Sequence, residues 1–254
     1  MTVNRMNYVM VIFLITILYS CNGKNSDHIT IATASNIKTT MMAIKSAYES
    51  QTGTKVQLVV ASSGKLTAQI KAGAPFDLFV SADMKYPELL YKDGFTVSKP
   101  KIYAYGTLIL WTCKKGLKPS LSTLDSESTR YIAVANPKTA PYGYATQKVL
   151  EYYKLTNKTK DKLVYGESIS QANQFIQTQN VDIGFTSKSV LYSPHLTTSG
   201  SWIALDRNSY PPIKQGIVLL KNGKEKATQE FYNFIGSRQG QLILEKHGYL
   251  VNKQ

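Results

Sequence analysis

One unit recurs along this chain and limits its fold more than any other feature. It is an apolar run, then a small or hydroxyl residue, then a helical pattern closed by glycine. His28 to Ala34 (HITIATA) reads as a strand, followed by Ser35-Asn36 and a helical run from Ile37 to Gln51, with Gly53 beyond it. Val56 to Ala61 (VQLVVA) is the next strand, followed by Ser62-Ser63 and a helix that stops at Gly73. Asp77 to Val80 (DLFV) is a third, after which Asp83 opens a helix from Met84 to Lys92 that stops at Gly94. Ser, Asn or Asp at each start and Gly past each end are ordinary helix boundary signals. Strands alternating with helices in this way predict an α/β fold built on mostly parallel sheet.

The rhythm breaks twice. Lys101 to Thr112 (KIYAYGTLILWT) is a long extended run with Gly106 in its middle, and Ile213 to Leu220 (IKQGIVLL) is a second. Between them the unit resumes. Tyr131 to Ala135 leads through NPKTAPYG into a helix from about Tyr144 to Tyr153. Lys162 to Tyr165 leads through Gly166-Glu167-Ser168 into a helix from Ile169 to Gln179, and Val181 to Thr186 is a further strand. Two helical segments close the chain, around Lys224–Ile235 and Arg238–Lys246. The pattern fits two α/β lobes joined by two extended crossings, with 28–104 and 206–254 in lobe I and 105–205 in lobe II. A single larger α/β domain fits it nearly as well, and 254 residues suffice for either core.

The first residues have another character. Tyr8 to Tyr19 (YVMVIFLITILY) follows Arg5 and is apolar apart from Thr16, which suits the core of an export signal over residues 1–20. Leu18-Tyr19-Ser20-Cys21 resembles a bacterial lipobox, with Cys21 as the lipidated residue and 21–27 as a tether; an ordinary signal peptide with an incidental cysteine is the alternative. Cys113 then stands alone in an apolar strand, so no disulfide framework is expected. The histidines (His28, His195, His247) are far apart and show no metal-ligand spacing. A net charge of +14 invites a nucleic-acid reading, but the lysines are scattered singly and no nucleic-acid motif accompanies them. A basic surface that attracts small anions is the better account.

The junctions carry the candidate chemistry. Ser62-Ser63-Gly64-Lys65 contains Ser-x-x-Lys, yet the Ser-Asp-Asn and Lys-Thr-Gly elements that accompany it in penicillin-recognising enzymes are missing. Walker A spacing fails as well, because Leu66 follows Gly64-Lys65 and no upstream glycine precedes them. A secreted serine hydrolase using Ser62 and Lys65 stays open as the enzymatic alternative. An anion receptor needs less: the first turn of a helix presents unsatisfied N–H groups at the positive end of its dipole, and a hydroxyl adds a donor. Ser35-Asn36, Ser62-Ser63, Ala140-Pro141-Tyr142-Gly143 and Ser168-Ile169 all have this form, and in an α/β sheet all fall at strand carboxyl ends. Asp77 and Asp83 read as strand-end and lobe-packing groups, and Lys65 as a surface charge.

Five segments then resemble one family: IATASNIK (Ile31–Lys38), VVASSGKLTAQIKAGAPFDLFVSAD (Val59–Asp83), ANPKTAPYG (Ala135–Gly143), GESISQA (Gly166–Ala172) and VDIGFTSKS (Val181–Ser189). Over essentially the whole mature chain they are similar to the substrate-binding protein of molybdate ABC importers. The resemblance implies a two-lobed periplasmic-binding-protein fold with two hinge crossings, acting as a monomer with an ABC permease and ATPase and without enzymatic activity. It implies no cofactor and no bound metal cation. The ligand would be molybdate or tungstate, or failing that another tetrahedral oxyanion such as sulfate. Carried over by motif, the contacts fall on Ser35, Asn36 and Ser63 in lobe I and on Tyr142 and the backbone N–H of Ile169 in lobe II, with Ser62 as a further candidate. Some family members use a tyrosine just after the IGF-type strand; Ser187 stands at that position here. Molybdate and tungstate are bare dianions offering only acceptors, whereas phosphate keeps a proton that a donor-only pocket leaves mispaired, at about 1–3 kcal/mol.

Overall fold

A computed structural model describes residues 28–194, 196, 200–221, 223 and 225–251. The expected signal, Cys21 and the tether lie outside the described residues. In chain order the first elements are β1 (His28–Ala34), α1 (Lys38–Thr52), β2 (Lys55–Ala61), α2 (Ser63–Lys71), β3 (Leu78–Val80), α3 (Lys85–Lys92), β4 (Lys101–Gly106) and β5 (Leu108–Thr112). Then come α4 (Leu121–Asp125), β6 (Ile132–Ala135), α5 (Pro141–Tyr152), α6 (Thr156–Thr159), β7 (Leu163–Gly166), α7 (Ile169–Gln177) and β8 (Ile183–Ser187). The last are β9 (Ser201–Ala204), β10 (Ile213–Leu219), α8 (Glu225–Gly236) and α9 (Arg238–Lys246).

Two five-stranded sheets result, in the orders β2-β1-β3-β10-β4 and β7-β6-β8-β5-β9. The chain therefore forms two lobes, and the single-domain alternative falls. Within each sheet the strands that precede site helices pair in parallel: β1 with β2 and β3, and β6 with β7 and β8. The long extended run 101–112 divides at Thr107. β4 pairs with β10 in the first sheet, while β5 pairs with β8 and β9 in the second. The return crossing lies between β9 and β10, where Pro211-Pro212 precedes Ile213. Both crossings join one sheet to the other, which makes them the hinge.

Each sheet is covered on both faces, as parallel strands require. In lobe I, Ile29 and Ile31 pack with Ile37 of the turn after β1, Met41 and Ile44 of α1 and Phe231 of α8. Ala32, one residue on in β1, faces the other way onto Leu66 and Ile70 of α2 and Leu90 of α3. In lobe II, Val134 lies with Val149 of α5, and Ala133 lies with Ala172 and Ile176 of α7. The first of these lobe II clusters also takes in Ala34, Ala82 and Ile213 from lobe I, so apolar packing is continuous across the cleft.

Two details depart from the sequence reading. α5 starts at Pro141, not near Tyr144, because proline suits the first helical position, where its missing N–H costs nothing. β9 (SWIA) is a half-exposed edge strand without the apolar run that marks the others. Asp77 Oδ2 accepts from the Thr30 N–H of the neighbouring strand.

Asp83 sits at the end of β3 beside the α3 start, where its Oδ1 accepts from the Ser81 hydroxyl (3.2 Å) and the Tyr86 N–H (3.3 Å). Burial raises its carboxyl from the ordinary 3.8 to about 6; those two hydrogen bonds and Lys85 only partly offset the loss of water. A carboxyl whose folded pKa lies above its unfolded one holds its proton better in the folded chain. Its contribution is therefore greatest below pH 4, falls as the pH rises towards 6, and is level above that. Asp83→Asn should lack this fall. In thermal unfolding from pH 4 to 8, the melting temperature of the variant relative to the wild type should climb up to pH 6 and then level off. Parallel profiles for the two proteins would refute it.

Candidate functional site

Parallel pairing puts the carboxyl ends of β1 and β2 side by side, with Ala34 opposite Ala61. The chain leaves β1 through a 3-10 turn, Ser35–Ile37, and leaves β2 through Ser62 into α2. In lobe II, Ala135 lies opposite Gly166, and these strands lead to the starts of α5 and α7. The four helix starts meet across the cleft around a small cavity, with about 10 Å³ open to the centre of a water-sized sphere, lined by Ser35, Asn36, Ser62, Ser63, Tyr142 and Ile169, with Ala34, Ala82, Ala140 and Pro141 completing the wall. Sites for drug-sized ligands run to roughly 300–1,000 Å³, so this one has room only for a small ion. No lining residue carries a charge.

The lining groups are buried: Ser62, Ser63, Tyr142 and Ile169 are each 3 % exposed or less. Ser63 Oγ accepts from the Ala82 N–H at 3.0 Å, which fixes the oxygen and leaves its proton for another acceptor. Ser62 is the N-cap of α2 yet makes no capping bond, and its Oγ is buried without a partner. Tyr142 Oη is likewise buried without a partner. Burial, and secondarily the neighbouring phenols of Tyr249, Tyr103 and Tyr210, push its ionisation well above the ordinary range; the Asn36 amide beside it pulls the other way but falls short of hydrogen-bond geometry, so Tyr142 stays a neutral O–H donor.

Glycines set the position of that tyrosine. A Cβ on Gly143 would stand 2.0 Å from the Ala135 carbonyl oxygen, so only glycine lets the α5 start settle onto the end of β6. A Cβ on Gly106, at the first crossing, would stand 2.1 Å from Tyr142 Oη.

Asn36 is held from behind by groups that the sequence reading did not single out. Its Nδ2 donates to Gln215 Oε1 (2.8 Å) and to the Tyr249 hydroxyl (3.0 Å), while Gln215 Nε2 donates to the Ala82 carbonyl (3.1 Å). From lobe II, Ser189 donates to the Asn36 carbonyl at 2.6 Å. Asn36 Oδ1 is buried without a partner. Gln215 had a usable signal, as a polar side chain inside the apolar run IKQGIVLL must find buried partners; Tyr249 and Ala82 had none.

Three expected residues sit elsewhere or act differently. Ser187 Oγ pairs with Ser189 Oγ at 2.7 Å and is not among the cavity-lining residues. Ser168 caps α7 by accepting from the Gln171 N–H, leaving Ile169 to face the cavity. Lys65 is not a lone surface charge: its ammonium pairs across the cleft with Glu167 on the rim.

Comparison with known proteins agrees with this architecture. A family model for bacterial extracellular solute-binding proteins matches residues 29–250. The molybdate-binding protein of Azotobacter vinelandii is 37% identical over 235 residues, spanning 91% of this chain and 93% of its own. A putative ABC transporter substrate-binding lipoprotein of Bacillus subtilis is 29% identical, spanning 93% of this chain and 94% of its own. A solved structure of the Azotobacter vinelandii periplasmic molybdate-binding protein superposes with a TM-score of 0.84 at 32% identity, covering 89% of this chain and 100% of that one. By sequence and by fold, this chain belongs to the bacterial extracellular solute-binding protein family, among the relatives that include the molybdate-binding proteins.

Proposed function

We propose that this chain is the solute-binding component of an ABC importer, and that its interlobe cavity captures molybdate, with tungstate as a close substitute. The observation that carries the reading is the chemistry of the wall: helix starts and hydroxyls, no charged side chain, and the Ser62 and Tyr142 hydroxyls buried without partners. Buried donors in that state favour a ligand that offers only acceptors. A bare tetrahedral dianion does so on every side, and four helix starts supply the positive ends of their dipoles without a counter-charge.

Ser35, Asn36, Ser62, Ser63, Tyr142 and the Ile169 N–H are the proposed contacts. Asn36 is the one polar side chain among them that also carries a carbonyl acceptor. Its Nδ2 protons are engaged by Gln215 and Tyr249, which leaves the backbone N–H of the turn as its contact with the dianion. Phosphate brings a proton that finds donors on most of the wall, so it is disfavoured. The chain acts by binding, not catalysis: Lys65, the only base that the Ser-x-x-Lys reading offers Ser62, is paired with Glu167.

The body that carries β1–β4 and β10 and the body that carries β5–β9 close on the ion by bending at the crossings. Delivery to a membrane permease driven by an ATPase follows from the family. No helix among the described residues is long and apolar enough to cross a membrane. The apolar Tyr8–Tyr19 segment and Cys21 support export and attachment of the mature protein to the membrane through lipid. The +14 charge raises the encounter rate with anions in a salt-dependent way.

Isothermal titration with molybdate, tungstate, sulfate and phosphate tests the ligand class. Tight binding of molybdate and tungstate is expected, with phosphate at least a hundredfold weaker. Preference for sulfate would replace molybdate as the cargo, and binding of none of the four would sink the oxyanion reading. Within the site, Ser62→Ala and Ser63→Ala should each raise the molybdate Kd about 10- to 100-fold, the loss of one hydrogen bond to a charged group at ~1.5–3 kcal/mol. Ser187→Ala should change it less than threefold. Equal effects at Ser63 and Ser187 would mean that the contact set is misassigned.

A further inference from the structure

The start of α2 contains a residue that the anion site does not explain. Gly64 is the second residue of that helix, where its backbone is not left-handed and glycine has no local advantage; alanine would suit the helix better. Nor does Gly64 line the cavity. Its N–H, one of the first-turn donors of α2, points across the cleft and donates to the Thr139 carbonyl of lobe II at 2.9 Å. A Cβ there would stand 3.0 Å from both Thr139 Cα and Thr139 O, and 2.8 Å from the Tyr86 hydroxyl. Even a methyl group would be tight at this point: the Tyr86 hydroxyl would have to move and Thr139 to give by a few tenths of an ångström. A glycine that opposes local preference yet permits a close approach marks a functional position.

Two further bonds flank it on the same rim. Tyr86 donates to the Lys138 carbonyl at 3.2 Å, and Lys65 pairs with Glu167. The Lys65 and Glu167 side chains are 45 % and 72 % exposed, so their pairing is screened by solvent and weak. The backbone bond, between two half-buried residues, is the central contact of the three. Because the cavity wall is contributed by both lobes, an enclosed ion leaves only when this rim parts.

We propose that Gly64 and Thr139 form a clasp that sets how long the bound anion is held, separately from the groups that choose the anion. The Lys65–Glu167 pair acts as its salt-sensitive outer part. The inference rests on the oxyanion reading of the cavity and extends it from selectivity to residence time. Gly64 and Thr139 act as positioning residues: they touch each other, not the ion.

The test is Gly64→Ala in the full chain, with molybdate as the probe and rapid mixing to separate association from release. Release should quicken at least tenfold, association should stay within about threefold, and the melting temperature without ligand should be equal or higher. That last readout separates a lost clasp from a damaged fold, since a structural role would lower it. Release within twofold of the wild type would overturn the clasp. Glu167→Gln should quicken release about two- to fivefold and remove its dependence on salt; wild-type release with salt dependence retained would remove the ion pair from the proposal. If the wild type binds no molybdate, tungstate or sulfate, the oxyanion reading fails on its own. The clasp is then read from small-angle scattering of the ligand-free proteins, where Gly64→Ala should have the larger radius of gyration and equal radii would overturn it.

Discussion

Parallel strand pairing is the constraint from which the site follows. Once β1 lies parallel to β2 and β3, and β6 parallel to β7 and β8, the segments that follow them must all begin at the same edge of their sheet. Each beginning carries N–H groups that its own turn cannot satisfy. Facing the two edges towards each other buries those donors, and burial without a partner is costly. The fold therefore brings together a surplus of donors whose natural complement is something with only acceptors. The hinge, the crossings and the covering helices all serve to hold these edges opposite one another.

Much of this was legible in the sequence because helix boundaries are local chemistry. Ser35-Asn36, Ser62-Ser63, Pro141-Tyr142 and Ser168-Ile169 announce their turns within a few residues, and the structure brings a member of each pair to one cavity. What was not legible depends on distant partners. Ser63 is steadied by Ala82, Asn36 by Gln215 and Tyr249, and Lys65 by Glu167, across separations of 19 to 213 residues. The crossing of 101–112 from one lobe to the other was legible from its length and Gly106, but the strands with which each half pairs were not, since both halves are equally extended.

Charge is handled on two scales. The chain as a whole is strongly basic, but the cavity wall has no charged residue. A lysine or arginine in the cavity would attract any anion, protonated or not, and would itself need desolvating. Neutral donors of fixed direction discriminate by proton count and shape. Long-range attraction is left to the surface, where it acts on encounter and is tuned by salt. The Lys65–Glu167 pair on the rim lies between these regimes, close enough to the site to matter and exposed enough to be weak.

Gly106 has a role at both ends of the cleft's geometry. It ends the lobe I strand β4 one residue before the crossing to β5, and the Tyr142 hydroxyl rests where its side chain would be. The joint and the pocket thus share an atom-level contact. Rotation at this joint withdraws the surface against which the tyrosine is seated, so the binding constellation comes apart as the lobes swing open. On the proposed reading, the open protein would then present no finished receptor to any anion. Rank among ions would then be decided at the moment of closing, when joint, tyrosine and helix starts come into register together.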